Sequence, residues 1–188
     1  WVVPLVVTTQ SGSQPTRHRV LLDSPRTTLK LDAPIEWVNA NTGANGFYRT
    51  SYSPDLRTGL VAAQAGLGPL ERYSLVDDAW AAVQAGTSSA IEFLELAEQF
   101  SDETNLYVWE LLLAGLAGLD RLLEGDARAS YAQRVRTLLQ APAERLGPDA
   151  RPGDDDATLS LRAHLLRTMA VVGRDTDTLN RCRTLVDH

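Results

Sequence analysis

The residues able to do chemistry are few. The only histidines are His18, His164 and His188, and no H-E-x-x-H pair sets two imidazoles one helical turn apart around a carboxylate, so the pattern of a helical zinc site is absent. Asp154, Asp155 and Asp156 form the densest acidic run. They offer oxygens to a hard cation but lack the alternating ligand spacing of a calcium loop, and acids ahead of a helix serve as caps. Cys182 is the only cysteine, so neither an intrachain disulfide nor a thiolate zinc set can form. Its place on an apolar helical stripe reads as a small buried thiol. No G-x-S-x-G elbow supplies a nucleophile, and the glycines of GLGPLE and TGANG fit neither phosphate-loop pattern.

What remains is a carboxylate pair and an arginine. Asp77 and Asp78 stand beside Val76 and Trp80 in an apolar helical pattern, so one of them must turn toward the interior or a neighbouring segment, where it needs a partner. Arg49 or a helix N-terminus can be that partner; alternatively the carboxylate lines a cavity. Arg49 lies in NGFYRTSY, where strand-like alternation puts Phe47, Arg49 and Ser51 on one side and Tyr48, Thr50 and Tyr52 on the other. Ser53-Pro54 then opens a helix, so the stretch reads as a structural joint built on Arg49, Asp77 and Asp78. No catalytic or metal-ligating residue is assigned.

The elements that must position these groups fall into two halves. Up to Tyr52 the pattern is that of four or five short antiparallel strands: one around Val2–Val7, then Arg19–Leu22, Thr27–Leu31, Trp37–Asn39 and FYRTSY, with breaks at SGSQPT, Asp23–Pro25 and Asp32–Pro34. So few strands do not close a sandwich alone, and part of the sheet is expected upstream. From Ser53 the spacing is helical. Pro54 to Gly66 carries Leu56, Leu60 and Ala63, and Pro69 to Gly86 carries Leu70, Tyr73, Val76, Trp80 and Val83. A third helix from Ser88 or Ser89 presents Ile91, Leu94, Ala97 and Phe100. A fourth, Thr104 to Glu124, presents Leu106, Trp109, Leu112, Leu113, Leu116, Leu119 and Leu123. Asp126–Ala141 follows through Tyr131, Val135, Leu138 and Leu139, then a short Pro142–Gly147 piece. Two last helices carry Leu159, Leu161, Leu165, Leu166, Met169 and Val172, and then Leu179, Cys182 and Leu185. The expected fold is α+β: a short antiparallel β-sandwich portion, residues 1–52, followed by an α-solenoid-like array of antiparallel helix pairs, residues 53–188.

A net charge of −6 across 188 residues argues against nucleic acid, because the arginines are scattered among acids and Lys30 is the sole lysine. No apolar run reaches the length of a membrane span. No Met stands at position 1 and Met169 is the only methionine, so the chain is expected to be a piece of something longer. Abundant Arg, Ala, Leu and Asp beside one lysine suggest a GC-rich bacterial genome and a cytoplasmic protein.

The order of signals resembles a known family. W-x-x-P-L (Trp1, Pro4, Leu5), W-x-N-A-N (Trp37, Asn39, Asn41), G-F-Y-R-T-S-Y (Gly46 to Tyr52), L-x-x-x-x-R-x-x-L-V-D-D-A-W (Leu67, Arg72, Leu75 to Trp80) and N-L-Y-V-W-E (Asn105 to Glu110) run as in the C-terminal region of zinc aminopeptidases of the gluzincin class, the aminopeptidase N, puromycin-sensitive and endoplasmic-reticulum types. The usual forms there are G-Y-Y-R-V-N-Y and L-I-D-D-A-F, from which Phe47, Thr50, Ser51 and Trp80 depart. The resemblance covers residues 1 to about 125, the remainder matching in helical character.

It implies the end of a β-sandwich domain followed by a helical domain that closes over a separate catalytic domain and bounds the peptide cavity. It also implies a zinc-bound water activated by a glutamate, all in that upstream domain. The chain holds neither H-E-x-x-H nor a G-x-M-E-N-type motif, so no cofactor is expected on it and it is expected to be inactive alone. The implied partners are the upstream catalytic domain and the peptide substrate. Two other readings stand beside this one: a free-standing helical-repeat interaction module with a β cap, and a metal-dependent enzyme built on Asp154–Asp156.

Overall fold

The computed structural model describes residues 2–31 and 34–186, the side chains of 185 and 186 excepted. Trp1, Asp32, Ala33, the Leu185 side chain and His188 lie outside the described residues. The chain forms two compact units, Trp1–Ala85 and Gly86–His188.

The first unit begins with a hairpin. Alternating β-formers give β1 (Val3–Ser11), and β2 (Gln14–Leu22) returns antiparallel, with Ser11 opposite Gln14. Only Gly12 and Ser13 turn the chain, Gly12 at φ +74°, so the expected SGSQPT break shrinks to the two-residue turn that a glycine permits. Pro15 sits on the outer strand, where a missing N–H is tolerated. β3 (Trp37–Asn39) pairs antiparallel with β1, giving the order β2-β1-β3. His18 Nε2 lies 2.9 Å from Thr9 Oγ1, so this imidazole is bonded within the hairpin.

Two expected strands are absent. Thr27–Leu31 has no regular structure, and residues 27–30 are exposed, so Leu29 finds no sheet or core to cover it. FYRTSY is not in a ladder either, and the reason lies in its side chains, described below.

Ser53-Pro54 opens α1 (Pro54–Ala62), and Pro69 opens α2 (Pro69–Gln84), proline being suited to a first turn whose N–H groups lack partners. α1 lies on β3, and the fit depends on Gly59: a methyl there would overlap the Glu36 carbonyl oxygen. Gly59→Ala is therefore expected to destabilise the first unit by about 1–3 kcal/mol, the cost of overpacking. Equilibrium urea unfolding checks this, and an unchanged midpoint would mean that α1 moves off β3 freely. In α2 the buried residues are Leu75, Val76 and Asp78, whereas Leu70 and Tyr73, expected inward, are exposed.

The second unit is all helix: α3 (Ala90–Glu98), α4 (Leu106–Asp120), α5 (Gly125–Leu146), α6 (Asp156–Val171) and α7 (Thr176–Val186). Ser89 caps α3, accepting from Glu92 N while the Glu92 carboxylate accepts from Ser89 N. Asn105, Asp155 and Asp175 accept from the first turns of α4, α6 and α7 in the same way. α4 packs against α3, α5 and α6, and α6 against α5 and α7. Phe93, Phe100, Val108, Trp109, Leu112, Leu116, Val135, Leu139 and Leu165 are all essentially without exposure. Gly115 is a slot in α4, since any Cβ there would run into the Phe93 ring.

Five details depart from the sequence reading, the first being Leu159, expected on the α6 stripe but exposed. Ile91 is exposed and Phe93 takes its place in the core, because the α3 face is centred on Phe93, Leu94, Leu96 and Ala97. α4 stops at Asp120 rather than Glu124, where the buried Asp120 carboxylate is bonded by Arg128 Nε at 2.8 Å and Nη2 at 2.6 Å. Pro142 does not break α5. It is buried inside a helix that runs on until Gly147, whose φ of +72° ends it. Cys182 is exposed, not a buried thiol. The fold class is α+β.

Candidate functional site

The residues singled out in the sequence meet in the first unit. Residues 47–52 form no strand, the chain bending at Phe47 and Tyr48, yet their alternation survives without a ladder: Phe47, Arg49 and Ser51 are exposed, while Tyr48, Thr50 and Tyr52 are half-buried. Side chains replace strand pairing. The Tyr48 hydroxyl donates to the Ala40 carbonyl at 2.9 Å, and the Tyr52 hydroxyl accepts from Ala40 N at 3.0 Å, so the two phenols bracket one residue of the preceding segment. Burial, before any other cause, raises the pKa of both phenols.

Asp78 is the inward carboxylate of the pair, at 8% exposure. Its Oδ2 accepts from Thr50 N at 2.9 Å and from Thr50 Oγ1 at 2.5 Å, and its Oδ1 lies 3.3 Å from Arg49 Nη1. Arg49 Nη1 also donates to the outer Asp77 at 2.7 Å, and that hydrogen bond is the main reason its guanidinium holds its proton more tightly than usual. Asp78 reaches Thr50 because α2 turns it, with Leu75, to the buried side of the helix.

Glu71, which the sequence reading did not single out, completes the arrangement. Its Oε2 accepts from Gly68 N at 2.8 Å, capping α2, while Oε1 accepts from Asn39 Nδ2 at 2.9 Å and Gly43 N at 2.8 Å. A glutamate in the first turn behind Gly-Pro was its available signal. Asn41, quoted only as part of a motif, brackets Gly46 through its amide, accepting from Gly46 N at 2.8 Å and donating to its carbonyl at 3.1 Å. These groups leave about 10 Å³ between Asn39, Asn41, Thr50, Glu71 and Asp78, room for about one water. With its donors and acceptors spent on one another, the cluster is suited to holding the chain in place rather than moving protons.

The second unit holds a groove of about 410 Å³ along α4 and α6. Leu113, Ala114, Ala117 and Val172 line it, the small alanines giving it depth, and Glu110, Arg121, His164 and Arg167 supply charge or polarity. His164 Nε2 and Glu110 Oε1 stand 4.0 Å apart. Asp120 also lines the groove, and the bond from Arg128 holds its carboxyl below the usual carboxylate range.

A carboxyl with a depressed pKa in the folded state stabilises fully above its unfolded value of 3.8 and loses that contribution as pH falls from there through its lower folded value. Asp155 and Asp175 are lowered likewise by their bonds from Thr158 and Thr178. Stability is therefore expected to decline between about pH 5 and pH 2. In Arg128→Met the difference between urea midpoints at pH 6 and pH 3 should shrink, because the group that lowers Asp120 is gone; an unchanged difference would remove Asp120 from the acid response.

The acidic run is structural. Asp154 pairs with the buried Arg162 at 2.6 Å, Asp155 caps α6, and Asp156 lies in its first turn. Among the described residues no group of three or more His, Cys, Asp or Glu side chains could hold a metal ion.

With this geometry in view, residues 37–188 match the family model described as the ERAP1-like C-terminal domain. The chain belongs to that family. The ERAP1-like match starts at β3 and runs through the phenol bracket, the Asp78 cluster and every helix. Similar proteins include the puromycin-sensitive aminopeptidase of Caenorhabditis elegans, 28% identical over 92% of this chain and 19% of its own length. Aminopeptidase M1-A of Oryza sativa is 27% identical over 93% of the chain and 21% of its own length. The tricorn protease-interacting factor F2 of Thermoplasma acidophilum is 27% identical over 92% and 20%. This ERAP1-like chain thus spans about a fifth of the length of the curated relatives it matches. Among its described residues no helix is long and apolar enough to cross a membrane.

Proposed function

We propose that this chain is a non-catalytic C-terminal part of a zinc metallo-aminopeptidase that removes N-terminal residues from peptides. The observation carrying the proposal is that aminopeptidase relatives align with nearly the whole chain while it fills only a fifth of them. Residues 1–52 would be the end of a β-sandwich domain and residues 53–188 the helical domain, with Arg49, Asp77 and Asp78 at the joint between them. The upstream catalytic domain and the peptide are its partners, and the compartment is the cytoplasm.

Zinc chemistry belongs to the upstream domain, since the residues here do not fit the metal: His18 is bonded to Thr9, Asp154 is held in an ion pair and Asp155 in a helix cap. This chain's contribution is to bound the substrate cavity and support the catalytic domain. The groove along α4 and α6, an apolar floor with charges of both signs, has the chemistry to border a path taken by peptides of varied sequence. An assay with amino-acid anilides and added zinc tests the proposal. The complete gene product should turn them over and residues 1–188 alone should not; robust turnover by this chain alone would overturn it.

A further inference from the structure

One face of the first unit is built to hold an aromatic ring in water. Phe47 is 110% exposed, yet the turn carrying it is fastened on both sides. Asn41 bonds both the N–H and the carbonyl of Gly46, and the Tyr48 ring packs on the Gly46 backbone so closely that a Cβ there would overlap it. The Tyr48 hydroxyl is tied to Ala40. Leaving a phenylalanine in solvent forgoes the stabilisation that burying it would bring, and a ring carried on a fastened turn has less backbone freedom to lose on docking. Aromatic side chains presented at a surface in this way serve as interface anchors.

The ring does not stand alone. Leu70, Tyr73, Ser74 and Asp77 recur on α2 at spacings of three and four, and Leu70 is 67% and Tyr73 37% exposed. Ser74 and Asp77 share with Gly46, Phe47, Tyr48, Arg49 and Asp78 a hollow of about 330 Å³. Its charges do not cancel: the single cation Arg49 faces both Asp77 and Asp78, leaving one negative charge in excess, and the outer Asp77 is 36% exposed. A complementary surface would therefore offer an apolar recess with a basic side chain at its edge.

We propose that Phe47 and the exposed face of α2 form the docking surface for the preceding part of the same polypeptide, which takes the Phe47 ring into an apolar recess and sets a Lys or Arg against Asp77. The occupant follows from the relatives, in which about four-fifths of the chain lies outside the aligned region, together with the C-terminal place named by the matching family model, and to that extent the inference rests on the function proposed above.

The test is photocross-linking in the complete gene product with p-benzoylphenylalanine in place of Phe47, the linked peptides being identified by mass spectrometry. The expected product is an intramolecular link to residues preceding this chain, with its yield reduced by Asp77→Lys. Links between two copies, links to an added peptide substrate, or no link at all would overturn the proposal. Should the bulky analogue prevent folding, Phe47→Ser replaces it: a lowered melting temperature of the complete protein supports docking, and an unchanged one overturns it. A complete protein that hydrolyses anilides but gives no link refutes the docking alone, whereas one without aminopeptidase activity refutes the function proposed above.

Discussion

Trp109→Ala should lower the unfolding free energy by about 4 kcal/mol, within the range for truncating a fully buried aromatic side chain. Trp109 has no exposure, and its neighbours in the core, Val108, Leu112 and Leu116, are held on the α4 backbone, so the space left behind can collapse only in part. A second loss adds to the cavity. The indole Nε1 donates to the Glu103 carbonyl at 2.9 Å, fixing the turn between α3 and α4. That carbonyl also receives Arg145 Nη2 at 3.2 Å, so it keeps one donor when the indole is removed. Trp109→Phe should therefore cost much less than the alanine variant, about 1–2 kcal/mol, mostly lost volume and one hydrogen bond. Urea unfolding followed by far-ultraviolet circular dichroism measures both, and equal losses in the two variants would contradict the cavity account.

The second large effect belongs to the first unit. Asp78→Ala should cost about 3 kcal/mol, because it leaves the Thr50 N–H and hydroxyl without their acceptor and removes one of the two carboxylates beside Arg49. Asp78→Asn keeps the shape and one acceptor oxygen and should cost about 1 kcal/mol. Arg49→Met should cost under about 1 kcal/mol, since the guanidinium is more than half exposed and its bond to Asp77 is a surface pair. The order carries the meaning. If Arg49→Met proved the most damaging of the three, the tie would depend on the ion pair and not on the buried carboxylate gripping Thr50.

What the sequence disclosed, and what it did not, divides by range. Helix starts at Pro54, Pro69 and Ser89 are local events, decided by a proline or a capping side chain within one turn, and they read directly from the residues. Strand pairing is not local. FYRTSY alternates as a strand does, yet it finds tyrosine and threonine contacts to Ala40 and Asp78 instead of a neighbouring strand, and alternation alone cannot distinguish these outcomes.

Helix faces were legible only where the apolar stripe was broad. Tyr131, Val135, Leu138 and Leu139 face inward as expected, whereas α2 carries apolar residues on two sides and the spacing chose Leu70 and Tyr73 wrongly. Arg162 was invisible to pattern reading. It is buried on α6 because its guanidinium caps the carbonyls of Leu146 and Gly147 at the end of α5 and pairs with Asp154. A charged residue on an apolar face signals such a role only once the helix end it serves is known.

The outer strand β2 has a bearing on handling of the isolated protein. A row of unpaired backbone groups on a sheet margin can recruit the same row from another molecule and seed fibrils. β2 carries exposed Pro15, Arg17 and Arg19 along its length, so an incoming strand meets a residue that cannot donate and two like charges repeated on its own copy. That margin is guarded against self-templating by those three side chains.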